Sequence, residues 1–170
     1  MLENNAQNSD SSILALDPGI ERTGYAILKG TFGSEIQLVD YGCITTKKNL
    51  LLEQRFLQIY TTLMEFITRY KPRALILEQL FFNKNQKTVI SVSQSQGVML
   101  LAAAQTSIPI FFLTPLQIKM SLTGYGKAEK LQVQKMVQTL LKLETMPKPD
   151  DTVDAIACGL AFLFTNQSLL

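Results

Sequence analysis

Ile13-Leu14-Ala15-Leu16-Asp17-Pro18-Gly19 runs four apolar residues into a carboxylate and then a turn pair. An apolar run this short, stopped by Pro-Gly, reads as a buried strand. Thr23–Lys29 and Glu35–Thr45 follow at turn-like spacing, the second alternating around Ile36, Leu38 and Val39, which predicts an antiparallel meander of three strands. Leu50–Tyr70 places Leu52, Phe56, Ile59, Tyr60, Leu63, Phe66 and Ile67 at helical spacing, and Lys71-Pro72 ends that helix. Ala74–Glu78 and Pro109–Leu113 read as two more buried strands. The helix expected between them, Thr88–Gln105, makes the pair parallel through a crossover. Further helices are expected over Pro115–Leu122, Lys127–Leu143 and Asp150–Phe164. The sum is an α/β fold with a five-stranded mixed sheet, three antiparallel strands then two parallel, and helices on both faces.

The chain has 170 residues, which fits one domain, taken as 13–166 behind a polar, flexible leader at 1–12. Apolar residues make up 46%, enough for a core and too many for a disordered chain. The leader has neither a basic start nor an apolar stretch, so it does not read as a signal peptide. No apolar run approaches the roughly 20 residues that cross a bilayer. Cys43 and Cys158 are far apart, form no CxxC pair and read as buried, reduced core residues of a cytoplasmic protein.

Histidine is absent, which excludes Ser-His-Asp and Cys-His nucleophiles and His-ligated zinc. Carboxylates, lysines, hydroxyls and bound metal must carry any chemistry. Net charge is only +2, but its distribution is uneven. Met1–Asn83 holds eight Lys/Arg against nine Asp/Glu, while Lys84–Lys142 holds seven Lys against Glu129 alone. An excess of that kind suits a polyanion such as a nucleic-acid backbone, although from charge alone solvated helix faces are the plainer account.

Four carboxylates stand out by position. Asp17 and Glu78 close strands expected to be parallel neighbours, so both emerge at the carboxyl edge, where open α/β sheets place ligands. Asp151 and Asp154, three apart at the start of the last helix, share one of its faces. Together they would form an oxygen-only site suited to Mg2+, with Mn2+ as a substitute. Two such ions, roughly 3.5–4 Å apart, serve in-line phosphoryl displacement. Lys119 and Lys130 are candidates to offset charge developing on the phosphate. Each residue also has a plain structural reading: a turn for Asp17, a helix cap or dipole match for Asp151 and Asp154. Asp150 reads as the cap. Glu78 tips the balance, because a carboxylate after Ala-Leu-Ile-Leu is costly to bury without a cation. Phe81-Phe82 follows it, and two adjacent rings in an extended segment face opposite ways, leaving one to stack on an unpaired base or to anchor a loop. The loop Gly124-Tyr125-Gly126-Lys127 has backbone amides that suit a phosphate.

Leu16-Asp17-Pro18-Gly19 with Thr23-Gly24-Tyr25, then Glu78-Gln79-Leu80-Phe81, then Gly124 to Val133, then Asp151-Thr152-Val153-Asp154-Ala155 resemble, in order, the RuvC Holliday-junction resolvases. The resemblance spans Ile13 to Phe164. It implies a ribonuclease-H-like fold and a homodimer that makes paired, symmetric cuts across four-way junction DNA. It implies Mg2+ held by Asp17, Glu78, Asp151 and Asp154, with Lys119 and Lys130 on the phosphate side and Phe81 at the junction centre. DNA contacts are expected from Phe81, Phe82, Lys84, Lys87, Lys119, Lys127 and Lys130, and a branch-migration motor of the RuvA and RuvB type as a partner. Many relatives carry Ala-Arg-Gly where this chain has Ser95-Gln96-Gly97, which puts that arginine's contact in doubt. The helix Thr88–Gln105, with Val98, Leu101 and Ala102 on one face, is a candidate dimer interface or an ordinary sheet-packing helix. Two other functions share the fold: a phosphotransferase, which usually needs two domains and leaves the paired aspartates unexplained, and a non-catalytic DNA-binding protein.

Overall fold

Alternation along the first strand divides the core in two. The computed structural model describes residues 12–31, 33–79 and 86–165, with backbone alone for 86–88. Its elements are β1 (Ser12–Asp17), β2 (Arg22–Lys29), β3 (Gln37–Thr45), α1 (Leu52–Tyr70), β4 (Leu75–Glu78), α2 (Gln86–Thr106), β5 (Ile110–Leu113), α3 (Pro115–Thr123), α4 (Lys130–Leu140) and α5 (Asp150–Thr165). The sheet order is β3-β2-β1-β4-β5, with β1, β4 and β5 parallel and β1-β2-β3 antiparallel, as the sequence predicts.

Successive strand residues face opposite sides. Ile13 and Ala15 of β1, Ala26 and Leu28 of β2, and Ile76 of β4 pack under α3, α4 and α5. Leu14, Leu16, Ile27, Leu75 and Leu77 pack under α1 and α2. These side chains are fully buried, and each large one contributes about 2 kcal/mol by leaving water. Helix α5 is apolar all round because it lies between the sheet and α3/α4; Thr152, Val153 and all of 155–163 are buried. Gly159 lets it approach β1 and β2, since a Cβ there would strike Leu28 and Ala15.

Several expectations change. Ser12 belongs to β1 rather than to a leader: it is buried and donates its hydroxyl to the Tyr70 carbonyl at 2.9 Å. Helix α4 is shorter than the apolar spacing suggests. A turn closes Ala128 N–H onto the Tyr125 carbonyl, the Gln132 side chain accepts from the Glu129 amide, and Lys142 takes a left-handed φ of 51° just beyond the end. Cys158 is buried but Cys43 is only half-buried; both are free thiols. On α2, Ala102 is fully buried and Val98 packs beside it against the core, so Leu101 alone of the three proposed interface residues faces solvent. Residues 1–11 and 166 of the expected leader and domain lie outside the described residues.

Candidate active site

Asp17 and Glu78 have the parity of Ala15 and Ile76, so their side chains leave the strand ends on the face covered by α5. The parallel register Ala15↔Ile76 and Leu16↔Leu77 carries on to place the two carboxylates side by side. What brings the start of α5 to the same place is Gly24, which pairs with Asp17 across β1 and β2. A Cβ on Gly24 would run into the Asp151 carbonyl, so the missing side chain lets the first turn of α5 rest on the strand beside Asp17. Asp154, one turn on, faces a cavity of ≈ 250 Å³ that is also lined by Glu78, Lys119, Lys130, Ile118 and Val133. Lys119 reaches it from α3, where Thr114 caps the helix by accepting from Gln117 N–H. Lys130 is the first residue of α4.

The acids act on one another. Burial pushes the Asp17 carboxyl from 3.8 up to about 8, helped by the charges of Asp154, Glu78 and Asp151 and opposed by Lys130. Glu78 is raised by burial and then by Asp154, with Lys119 and Lys130 pulling the other way. Asp154 is raised by burial against the pull of Lys130. Lys130 feels burial lowering its pKa, but its bonds to Asp154 and Asp150 prevail and raise it. Its ammonium lies 2.9 Å from Asp154 Oδ2 and 3.3 Å from Asp150 Oδ2. On the other side, Arg22 Nε lies 3.0 Å from Asp151 Oδ2. That contact is an ion pair without hydrogen-bond alignment, and the buried Oδ2 has no hydrogen-bond partner. Two cationic side chains thus hold two of the four carboxylates, and among the described residues no group of three acids is already closed around a metal-sized point. The donor set is oxygen only, crowded, and short of positive charge at Asp17. Those features fit a hard divalent cation.

Sequence reasoning brings together Asp17, Glu78, Asp151, Asp154, Lys119 and Lys130, and the structure places all six at one rim. Asp150 differs from its expected part as a cap: it lies in the first turn of α5 and pairs with Lys130. In the Gly124–Lys127 loop two amides are already engaged: Gly124 N–H bonds the Met120 carbonyl at 2.9 Å and Tyr125 N–H bonds Thr123 Oγ1 at 3.1 Å. Phe81, Phe82 and Lys84 lie outside the described residues, as does the side chain of Lys87. Arg22 went unnoticed in the sequence and carried no signal there. Gly24 did carry one, because a glycine inside a strand marks close approach of another backbone.

A ribonuclease-H-like sheet with an acidic carboxyl edge defines the class: a metal-dependent nuclease fold. The match to known proteins is narrower. Residues 13–162 match the family model described as crossover junction endodeoxyribonuclease RuvC. The protein of that name from Caldicellulosiruptor saccharolyticus is 44% identical over 93% of this chain and 95% of its own length. That from Alkaliphilus metalliredigens is 48% identical over 87% and 90%. Among solved structures, T. thermophilus RuvC in complex with a Holliday junction substrate superposes with a TM-score of 0.88 at 27% identity, covering 92% of this chain and 95% of that one. The yeast mitochondrial resolvase Ydc2, at 14% identity and a TM-score of 0.63, shares the fold. This chain belongs to the RuvC family of crossover junction endodeoxyribonucleases.

Proposed function

We propose that the protein resolves four-way DNA junctions by Mg2+-dependent hydrolysis of the phosphodiester backbone at the Asp17 rim, with Asp17, Glu78, Asp151 and Asp154 as the metal-holding residues. One observation carries the reading: acids from β1, β4 and α5 converge at one buried rim, where burial first and the neighbouring charges second push Asp17 up to about 8. A folded protein keeps such a cluster where a cation completes it. Bound there, a divalent ion supplies Lewis-acid charge to the phosphate; Mg2+ fits the all-oxygen donors best and Mn2+ can replace it.

This chain's own residues do the rest. Lys119 and Lys130 flank the cavity that Glu78 and Asp154 line, where a phosphate oxygen gaining charge meets two ammonium groups. Lys130 must let go of Asp154 to do so, and a cation held by the carboxylates would favour that release. Hydrolysis joins a water oxygen to phosphorus, breaks one bridging P–O bond, and leaves a proton to be taken from the water. Solvent takes that proton, and the departing oxygen takes one up in its place. Lys127, Phe81 and Phe82 remain the further candidates for DNA contact.

A four-way junction is nearly two-fold symmetric, so a two-fold dimer presents equivalent sites to it. The outer face of α2 suits such a dimer. Ile90 and Leu101 are 60% and 57% exposed, Leu100 stands beside them, and among the described residues nothing lies within 4 Å of where a Gly97 side chain would begin. A motor of the RuvA and RuvB type would deliver the junction, and the cytoplasm is the setting; among the described residues no helix is long and apolar enough to cross a membrane.

The test is a synthetic four-way junction incubated with the protein and Mg2+, beside a linear duplex of the same sequence. Paired nicks near the crossover, absent from the duplex and from reactions in EDTA, are expected. Equal cutting of both substrates, or of neither, refutes the reading.

A further inference from the structure

Ser95 and Gln96 belong to the helix on the far face of the sheet, yet both side chains reach the rim that carries the acids. Ser95, fully buried, donates its hydroxyl to the Gly19 carbonyl at 3.2 Å. Gln96 donates its NH2 group to the Glu78 carbonyl at 3.1 Å. A carbonyl acceptor settles which end of the amide points inward.

The Glu78 carbonyl needs that donor for a reason written into β1. Leu14 N–H donates to the Ala74 carbonyl at 3.0 Å, and the register runs on through Ala15↔Ile76 and Leu16↔Leu77. In a parallel ladder the bonds repeat every second residue, so the next donors are the amides of residues 16 and 18, toward Ile76 and Glu78. Residue 18 is proline and has no N–H. The turn that frees Asp17 from the sheet therefore leaves the Glu78 carbonyl without its ladder partner, and Gln96 takes the missing place. On the other side of β4, Gln79 N–H donates to the Leu113 carbonyl at 2.8 Å, so the backbone bearing Glu78 is held from both flanks. The Gly19 carbonyl is held twice, by Ser95 and by Thr23 Oγ1 at 2.6 Å. Met99, Ala102 and Ala103 anchor the same helix in the core, which gives the two side chains a rigid base.

We propose that Ser95 and Gln96 are positioning residues. By tying the Gly19 and Glu78 backbones to one helical turn, they set the separation of Asp17 and Glu78 and so the fit of a divalent ion between them. This rests on the metal-dependent reading above.

The test is Gln96→Met in the full chain, which keeps the size and removes the donor. Mn2+ affinity is measured calorimetrically without DNA, thermal unfolding is followed in EDTA, and cleavage is titrated with Mg2+. Loss of one neutral hydrogen bond predicts metal binding weaker by about fivefold. The Tm in EDTA stays within about 3 °C of the parent's. Cleavage falls at low Mg2+ and recovers at saturation. Gln96→Arg, whose guanidinium can still donate to the carbonyl, restores metal affinity. Ser95→Ala has a smaller effect because Thr23 still holds Gly19. Unchanged Mn2+ affinity in Gln96→Met overturns the proposal, as does a loss that Gln96→Arg fails to restore or a large fall of Tm in EDTA, which marks a purely structural bond. A parent protein that binds no divalent ion would instead sink the nuclease reading itself.

Discussion

Replacing Asp17 by Asn removes one charge from the rim and keeps the shape of the side chain. In the metal-free fold the Asp17 carboxyl titrates at about 8, against 3.8 for the free group, chiefly because it is buried and then because Asp154, Glu78 and Asp151 surround it. Between those two pH values the folded protein keeps a proton that the unfolded chain has released. Its stability is therefore fully present below about pH 4 and is lost as pH rises toward 8, by at most about 1.4 kcal/mol per pH unit. Across the whole window the ceiling is roughly 6 kcal/mol. Solvent reaches one edge of the carboxyl and its neighbours share the titration, which brings the expected difference down to about 1–3 kcal/mol at pH 7.5. Urea unfolding of both proteins in EDTA at pH 5, 6, 7 and 8 measures it. The parent should lose stability with pH relative to Asp17→Asn, which keeps only the slope from Glu78 and Asp154. Mg2+ should then stabilise the parent at high pH far more than the variant, and the variant should bind junctions without cutting them. Parallel pH curves, or a parent that gains stability as pH rises, would refute the electrostatic argument.

Gly24→Ala forces a methyl into the Asp151 carbonyl and should cost about 1–3 kcal/mol through overpacking, with cleavage impaired further because the first turn of α5 lifts from Asp17; unchanged Tm and rate would mean that α5 is not seated on β2. Lys119→Ala and Lys130→Ala should lower the single-turnover cleavage rate more than junction affinity, and a variant that cuts at the parent's rate removes its lysine from the mechanism. Leu101→Asp, on the exposed face of α2, should shift the protein to monomer in sedimentation and turn paired cuts into single nicks; an intact dimer would place the interface elsewhere.

Much of the architecture is legible in local pattern. Four apolar residues ending at Asp17-Pro18-Gly19 predict a buried strand with a carboxylate at its exit, and β1 is that strand. The same holds for Glu78 on β4, because short buried strands leave the same mark wherever they occur. Helix ends were read less well. The apolar spacing of α4 extends past both of its true limits, which are set by the turn at Tyr125–Ala128 and the left-handed Lys142. Periodicity records which face is apolar; it does not record where a backbone turn intervenes. On α2 the spacing groups Val98, Leu101 and Ala102, yet only the packing of α1 and the sheet separates buried Ala102 and half-buried Val98 from the exposed leucine.

By itself the sequence determined the chemistry available: no histidine, acids at strand ends and at a helix start, and two lysines, Lys119 and Lys130, between Glu78 and Asp151 in the chain. Only the tertiary structure decided how these meet. That Asp17 and Glu78 leave on the α5 side follows from strand parity within an assembled sheet, and that Asp151 arrives there follows from a space beside Gly24. The choice of Gln96 as the replacement donor, and of Arg22 as the partner of Asp151, depends on contacts between residues far apart in the chain. Such contacts leave no periodic trace, because their geometry exists only once hydrophobic burial has packed the helices onto both faces of the sheet.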